Sequence, residues 1–588
     1  MDSAKNNSMR QYTGIATSPG IAVGRLRVFD RRHLSVEEYA VSQEGVSGEI
    51  ERLKAGLSRT CDELNALKEK LKETTGDDHL FFIDTHLLIL ADERLFSEAV
   101  AHIQTELVNA ECALRRTLNK YREFFDGIDD LYLRERISDV ETVIEKILRN
   151  MAGEPHAPII PDGDHIIIAA HDVSPADILQ MDRTRIIGMV TEIGGKTAHA
   201  SILARAFELP AVAGVDGIAD MLLDGTSVIL DGLSGCVIVN PDSDTFLEYL
   251  QRKRQYEYVE SELLKMAELP PETLDGYGIK LKGNVEVPEE GPSVLRHGGE
   301  GVGLYRTEIL FMNRQQMPDE EEQYQVYAAM QRAVAPHALT FRTLDAGGDK
   351  LLDGMLHANE QNPALGVRAI RLALQMPDEF MKQLRAILRV SAQGDVRIMF
   401  PMISGLEELR KARALLDRAM ADLDAAGVPF DRSIAVGIMI EIPSAVVVAD
   451  LLAREVDFFS VGTNDLIQYI LAIDRSNEHL THMYQPLHPA VLRSLRRVVD
   501  VAREAGIDAC ICGEMAGDPL YLPVLLGLGF NELSMGATSI PRVKQVLRRC
   551  TMERAAEIAT ACSGFATAEE ADSFLKDAMS PYLCNSLD

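Results

Sequence analysis

Leu339-Thr340-Phe341-Arg342-Thr343-Leu344-Asp345-Ala346-Gly347-Gly348-Asp349-Lys350 sets a short apolar run directly against a cluster of charge. Leu339 to Thr343 has the length and composition of a buried strand, and the Gly-Gly-Asp-Lys turn closes it. The same arrangement recurs on both sides. Further strands are expected at Leu281 to Val285, Gly301 to Leu304, Val396 to Phe400, Ala435 to Ile440, Phe458 to Val461, Ala509 to Ile511 and Glu532 to Ser534. Strands alternating with helices over about 300 residues fit a (β/α)8 barrel, and an open doubly wound sheet is the other arrangement this alternation allows.

A barrel gathers its chemistry just past the carboxyl ends of its strands. Arg306 follows the second expected strand; Arg342, Asp345 and Lys350 lie at and after the third; Glu441 follows the fifth, Asn464 and Asp465 the sixth, and Cys512, Gly513 and Glu514 the seventh. Any one of these is an ordinary loop residue. Basic side chains converging on one mouth repel one another unless a multiply charged anion lies between them, and guanidinium forks match phosphate and carboxylate oxygens. Glu441 and Asp465 add hard oxygen ligands suited to Mg²⁺ or Mn²⁺, whereas zinc would want His or Cys.

Upstream, Gly194-Gly195-Lys196-Thr197-Ala198-His199-Ala200-Ser201-Ile202-Leu203-Ala204-Arg205 places one histidine on a glycine loop before a helix, whose buried face is Ile202, Leu203, Ala206 and Phe207. Orphan N–H groups and the dipole at a helix start stabilise an anion, so an imidazole there is a candidate phosphoryl carrier. Strands are expected around it, at Ile166 to Ala169, Ile186 to Val190, Ala211 to Val215, Val228 to Leu230 and Cys236 to Val239, with one or two more in Gly14 to Phe29. Residues 33 to 150 read instead as long helices, with Ile50, Leu53, Leu57, Cys61, Leu64, Leu67 and Leu71 on one seam and further apolar helices at Phe81 to Leu90, Leu114 to Phe125 and Val140 to Leu148. A charged helix from Asp242 to about Glu268 ends at Pro270-Pro271.

With 588 residues the chain exceeds one core. A formal charge of -30 disfavours nucleic acid and anionic lipid. The polar start, MDSAKNNSMRQ, and the lack of an 18-residue apolar run give neither leader nor membrane span, so a cytoplasmic protein is expected. The 8 cysteines form no disulfide framework, and Cys510 beside Cys512 receives no role.

The histidine segment closely resembles the phosphohistidine motif of phosphoenolpyruvate-utilising enzymes. GIATSPGIAVGR, GLYRTEILFMNR, FRTLDAGGDK, NPALGVRAIR, MIEIPSA, SVGTNDLIQYILAIDRSN and CGEMAGDP resemble, in order, the signatures of the Enzyme I family of the phosphoenolpyruvate-dependent sugar phosphotransferase system. That resemblance implies a swivelling phosphohistidine α/β domain (1–32 and 151–241) interrupted by a helical subdomain (33–150), a linker (242–271) and a phosphoenolpyruvate-binding (β/α)8 domain (272–588). It implies that His199 takes the phosphoryl group, that Arg306, Arg342, Lys350, Arg368, Asn464 and Arg475 hold phosphoenolpyruvate, that Glu441 and Asp465 carry Mg²⁺, and that Cys512 is the proton donor. It further implies the phosphocarrier protein HPr as partner on the helical subdomain, and a homodimer through the carboxyl-terminal domain. A pyruvate phosphate dikinase or phosphoenolpyruvate synthase is the alternative enzyme, although no glycine-rich ATP loop stands here. A non-catalytic regulator is the other.

Overall fold

The computed structural model describes residues 9–29, 38–75, 87, 89–126, 140, 143–144, 146–148, 150–151, 165–173, 178, 181–182, 184–195, 199–218, 224–311, 317–347, 362–474 and 477–583. They divide into two compact units, one up to Glu257 and one from Tyr258 onward. The division falls inside the expected charged helix, observed as Ser243–Leu264.

The first unit carries an eight-stranded sheet: β1 (Arg10–Thr13), β2 (Ile15–Ser18), β3 (Ile21–Phe29), β4 (Ile166–Ala170), β5 (Ile186–Thr191), β6 (Ala211–Ala213), β7 (Ser227–Asp231) and β8 (Cys236–Val239), in the order β1-β8-β7-β3-β4-β5-β6-β2. The central pairs β3–β4 and β4–β5 are parallel, whereas the outer pairs at β1–β8 and β2–β6 are antiparallel. Parallel strands buried on both faces need unbroken apolar sequence, which Ile166, Ile167, Ile168 and Val190 provide. β1 begins before the expected strand region, because Arg10 to Thr13 has little apolar signal and forms only by pairing with β8 at the sheet edge. The described part of the interruption is helical, Val46–Thr75, Glu93–Glu106 and Ala110–Asp126, around Leu53, Ile103, Leu114, Ile144 and Ile147. Most of the apolar helix expected at Phe81 to Leu90 lies outside the described residues.

The second unit is a closed barrel of eight parallel strands: β9 (Lys280–Val285), β10 (Gly301–Arg306), β11 (Ala338–Arg342), β12 (Val396–Phe400), β13 (Ala435–Ile440), β14 (Phe458–Val461), β15 (Asp508–Ile511) and β16 (Glu532–Met535). β16 pairs with β9 and closes the ring, so the open-sheet alternative falls. Alternate residues of each strand face opposite sides. One set, with Leu339, Phe341, Ile398, Ile438, Phe459 and Ile511, packs under the helices; the other meets inside the barrel as Leu304, Met399, Met439, Phe458 and Cys512. At the amino-terminal end of that interior, Lys282 pairs with Glu532 at 2.9 Å, both buried.

Local signals fix the helices that aim the strand ends. Asp319 caps Glu320–Val334 by accepting from the Glu322 N–H at 2.9 Å, while the Glu322 carboxylate accepts from the Asp319 N–H at 3.0 Å. Gly506, at φ 72, ends Pro489–Ala505 and returns the chain to β15.

Phe341 anchors the layer outside β11, its ring centroid 5.3 Å from Tyr305 and 5.0 Å from Tyr327. Phe341→Ala is expected to cost about 3–5 kcal/mol, read from the denaturant midpoint of barrel unfolding in the full-length chain. A loss under about 1 kcal/mol would place this ring outside the core.

Candidate active site

The carboxyl ends of the barrel strands bring charged side chains onto one mouth. Arg306 and Arg342 are the last residues of β10 and β11. Glu441 follows β13 directly; Asn464 and Asp465 lie in the first turn of the helix Thr463–Leu471 after β14; Cys512 follows β15. Arg368 arrives differently, from a segment held to Gly347 by an isolated antiparallel bridge.

These groups form an alternating chain of charge. Glu308 Oε1 stands 3.1 Å from Arg342 Nη2, whose Nη1 lies 2.9 Å from Asp345 Oδ2; Asp345 Oδ1 accepts from Arg368 Nη2 at 2.9 Å, and the same Nη2 donates to Asp465 Oδ2 at 3.2 Å. Tyr469 steadies the far end, accepting from Arg368 Nη1 at 3.3 Å and donating to the Ala364 carbonyl at 2.5 Å. Arg306 stands apart, with Nη1 on Glu286 Oε1 at 2.8 Å. The Nε atoms of Arg306 and Arg342 are buried and make no hydrogen bond among the described residues. Two guanidinium groups with a vacant donor each fit an anionic ligand.

Asp345, Glu441 and Asp465 place one oxygen each within 4.8 Å of one another. Burial with two other carboxyls nearby is unfavourable for charge, and it pushes Glu441, 1% exposed, up to about 8 despite Arg342 and Arg368. Burial acts the same way on Asp345, but there the two guanidinium groups prevail and hold it below its ordinary value. Three oxygen donors from carboxyls fit a hard divalent cation. Glu441 is pre-aimed, since its Oε1 accepts from the Met402 N–H at 2.6 Å.

Cys512, 3% exposed, lies at the floor of the mouth. Ser460 Oγ donates to its sulfur at 3.3 Å, and the thiol faces the Val461 carbonyl at 3.6 Å. Burial raises the thiol to about 11, so it keeps its proton at neutral pH. Asn464 is locked to Glu514, donating to Oε1 at 3.0 Å and accepting from the Glu514 N–H at 2.9 Å.

In the first unit His199 opens the helix His199–Ala206. Its side chain, Thr197, Lys350 and Arg475 lie outside the described residues. Gly194 takes φ 111, which a side chain would oppose, and a Cβ on Gly195 would meet nothing within 4 Å.

Glu286, Glu308 and Ser460 were not singled out by sequence. Glu308 carried a signal, standing two residues beyond Arg306; Glu286 and Ser460 matter through cross-strand neighbours that sequence does not display. Asp345 was noticed as a strand-end charge but not as a third metal donor.

Three family models match the chain: phosphoenolpyruvate-utilising enzyme, N-terminal, over 13–136; the mobile domain of such enzymes over 161–235; and their phosphoenolpyruvate-binding domain over 260–552. Those matches and the barrel mouth define a phosphoenolpyruvate-utilising enzyme. The chain is 41% identical over 572 residues to the phosphoenolpyruvate-protein phosphotransferase of Geobacillus stearothermophilus, covering 97% of this chain and 99% of that one. It is 38% identical to that of Bacillus subtilis, with 97% and 100% covered, and 37% identical to that of Haemophilus influenzae, with 96% and 98% covered. The chain belongs to the phosphoenolpyruvate-protein phosphotransferase family, as the sequence motifs implied, and the dikinase alternative is not favoured.

Because Glu441 rises from 4.5 to about 8, the metal-free fold holds a proton there that the unfolded chain releases, and stability falls as pH climbs through that window. A divalent cation that displaces the proton opposes the trend. The gain in thermal midpoint on adding such a cation should therefore grow with pH up to about 8, and Glu441→Gln should flatten the dependence. A gain independent of pH would remove Glu441 from the cation site.

Proposed function

We propose that this enzyme transfers the phosphoryl group of phosphoenolpyruvate to its own His199, releases pyruvate, and passes the group to a histidine of the phosphocarrier protein HPr as the first step of sugar uptake and phosphorylation. The observation that carries this reading is the single barrel mouth holding three arginines, an acidic triad and a protonated thiol.

Arg306 and Arg342 take the substrate's phosphate through their vacant donors, with Arg368 on the flank. Lys350, Asn464 and Arg475 complete the pocket. Glu441 and Asp465, joined by Asp345, hold Mg²⁺ or Mn²⁺, which when bound offsets the negative charge of the phosphate and carboxylate. The imidazole of His199 attacks phosphorus in line with the bridging oxygen, and the arginines stabilise charge on the three equatorial oxygens. The leaving enolate must gain a proton on carbon, and Cys512 supplies it.

The domain division that serves this chemistry is the one the motifs imply: a phosphohistidine domain from 1–32 and 151–241, an HPr-docking helical subdomain at 33–150, a linker at 242–271 and the barrel domain at 272–588. The linker is where the first unit swivels between barrel and carrier. The enzyme works in the cytoplasm as a homodimer joined through its barrel domain. No helix among the described residues is long and apolar enough to cross a membrane.

Incubation with labelled phosphoenolpyruvate and Mg²⁺ should give acid-labile label on the full-length chain, absent in His199→Ala. Label that persists in that variant, or label that comes from ATP instead, would refute the assignment. Cys512→Ala should lower the turnover number for pyruvate formation about 10²–10⁴-fold with a small change in KM. Unaltered turnover would exclude the thiol as the acid.

A further inference from the structure

Every described guanidinium at the barrel mouth already holds a carboxylate, but Arg306 holds one of a different kind. Arg342 and Arg368 are paired within the chain of charge that includes Asp345 and Asp465 of the acidic triad, whereas Arg306 is paired with Glu286, which belongs to neither chain nor triad. Register brings the two together. Leu304 lies beside Asn284 and Tyr305 beside Val285, so the next step along these parallel strands sets Arg306 beside Glu286.

Glu286 also faces the reacting end of the barrel. Two residues back on the same face, Asn284 donates through Nδ2 to the Cys512 carbonyl at 2.9 Å and accepts from Ser534 Oγ at 2.6 Å, which places that face inside the barrel wall. The backbone of Glu286 is fixed as well: its N–H donates to Glu290 Oε2 at 2.6 Å, and the same oxygen accepts from the Val287 N–H at 3.2 Å. Meanwhile Arg306 Nε is buried and has no hydrogen-bond partner among the described residues. Arg306 thus spends one donor on a carboxylate and keeps another for an acceptor the protein does not supply.

We propose that Glu286 is a built-in competitor for Arg306, a carboxylate that offsets the charge of this guanidinium in the free enzyme, weakens its hold on an incoming phosphate, and thereby sets the affinity for phosphoenolpyruvate. This rests on the reading of Arg306 as a phosphate-binding residue given above. The pair is partly exposed, so the carboxylate at 2.8 Å offsets part of the guanidinium charge without closing its remaining donors. A phosphate dianion gains more from the charge that remains than a simple carboxylate does. Glu286 is therefore a specificity-determining residue: it favours dianions over monoanions at the mouth and weakens the binding of the true substrate in doing so.

The test compares full-length wild type, Glu286→Gln and Glu286→Ser in steady-state kinetics, and in calorimetric titration with phosphoglycolate and Mg²⁺. Glutamine keeps an oxygen for Arg306 and removes only the charge. KM for phosphoenolpyruvate and Kd for phosphoglycolate should both fall about fivefold in Glu286→Gln, and the gain should shrink at high salt. In an Arg306→Met background the same substitution should have little effect, since the competition has lost its object. KM and Kd unchanged or raised in Glu286→Gln, or a loss confined to kcat, would overturn the proposal and leave Glu286 an orienting group at most. Glu286→Ser guards against an effect peculiar to the amide and should shift KM in the same direction; a shift the other way counts against competition. If wild type forms no phosphoenzyme from phosphoenolpyruvate, the proposed function fails separately, and phosphoglycolate affinity still decides whether Glu286 competes.

Discussion

The run Glu308–Arg342–Asp345–Arg368–Asp465 is the constraint on which the mouth depends. Each member is largely shielded from water, so each would be costly to ionise alone, and the contacts of 2.9 to 3.2 Å make ionisation tolerable by setting every charge between opposites. Removing one member of such a chain leaves its neighbours uncompensated, at a cost of about 3–5 kcal/mol. Only a fold that brings the ends of non-adjacent strands within hydrogen-bond reach can assemble it. Arg342 and Asp345 come from β11 and its turn, Asp465 from the helix after β14, and closure of the sheet through β16 and β9 is what sets them face to face. The charge chain is thus a consequence of barrel closure and also a reason the strands end where they do.

The opposite end of the barrel is organised for a different purpose. There Lys282 and Glu532 pair at 2.9 Å, with Arg397 standing 3.9 Å from the same carboxylate, and burial is nearly complete. At the mouth the Nε atoms of Arg306 and Arg342 have no acceptor among the described residues, and three carboxyl groups crowd together. The same residue types therefore hold the barrel shut at one end and stand ready for ligand at the other, as barrels divide stability from chemistry.

The barrel was legible in sequence because parallel strands buried on both faces are near-continuous apolar runs, and Val396–Phe400, Ala435–Ile440 and Phe458–Val461 have the bounds their composition implies. Strand-end charges were legible for a related reason, since a charge set hard against such a run has few places to go but the mouth. Pairing was not. That Asp345 bridges two arginines, or that Arg306 meets Glu286, depends on the lateral register of neighbouring strands, which one strand's sequence does not encode. β1 was missed because an edge strand buries little, so Arg10 to Thr13 lacks the apolar alternation that would mark it.

The thiol of Cys512 lies in the same crowded mouth. Burial raises both Glu441, to about 8, and Cys512, to about 11. A cation held by Asp345, Glu441 and Asp465 would displace the proton that Glu441 carries. A thiol beside Ser460, lined by Leu304, Met399 and Met439, is a poor ligand for a hard cation and stays neutral across the range in which Glu441 titrates. Proton donation and cation binding are thereby assigned to chemically different atoms, and the reaction proposed for this mouth needs both at once.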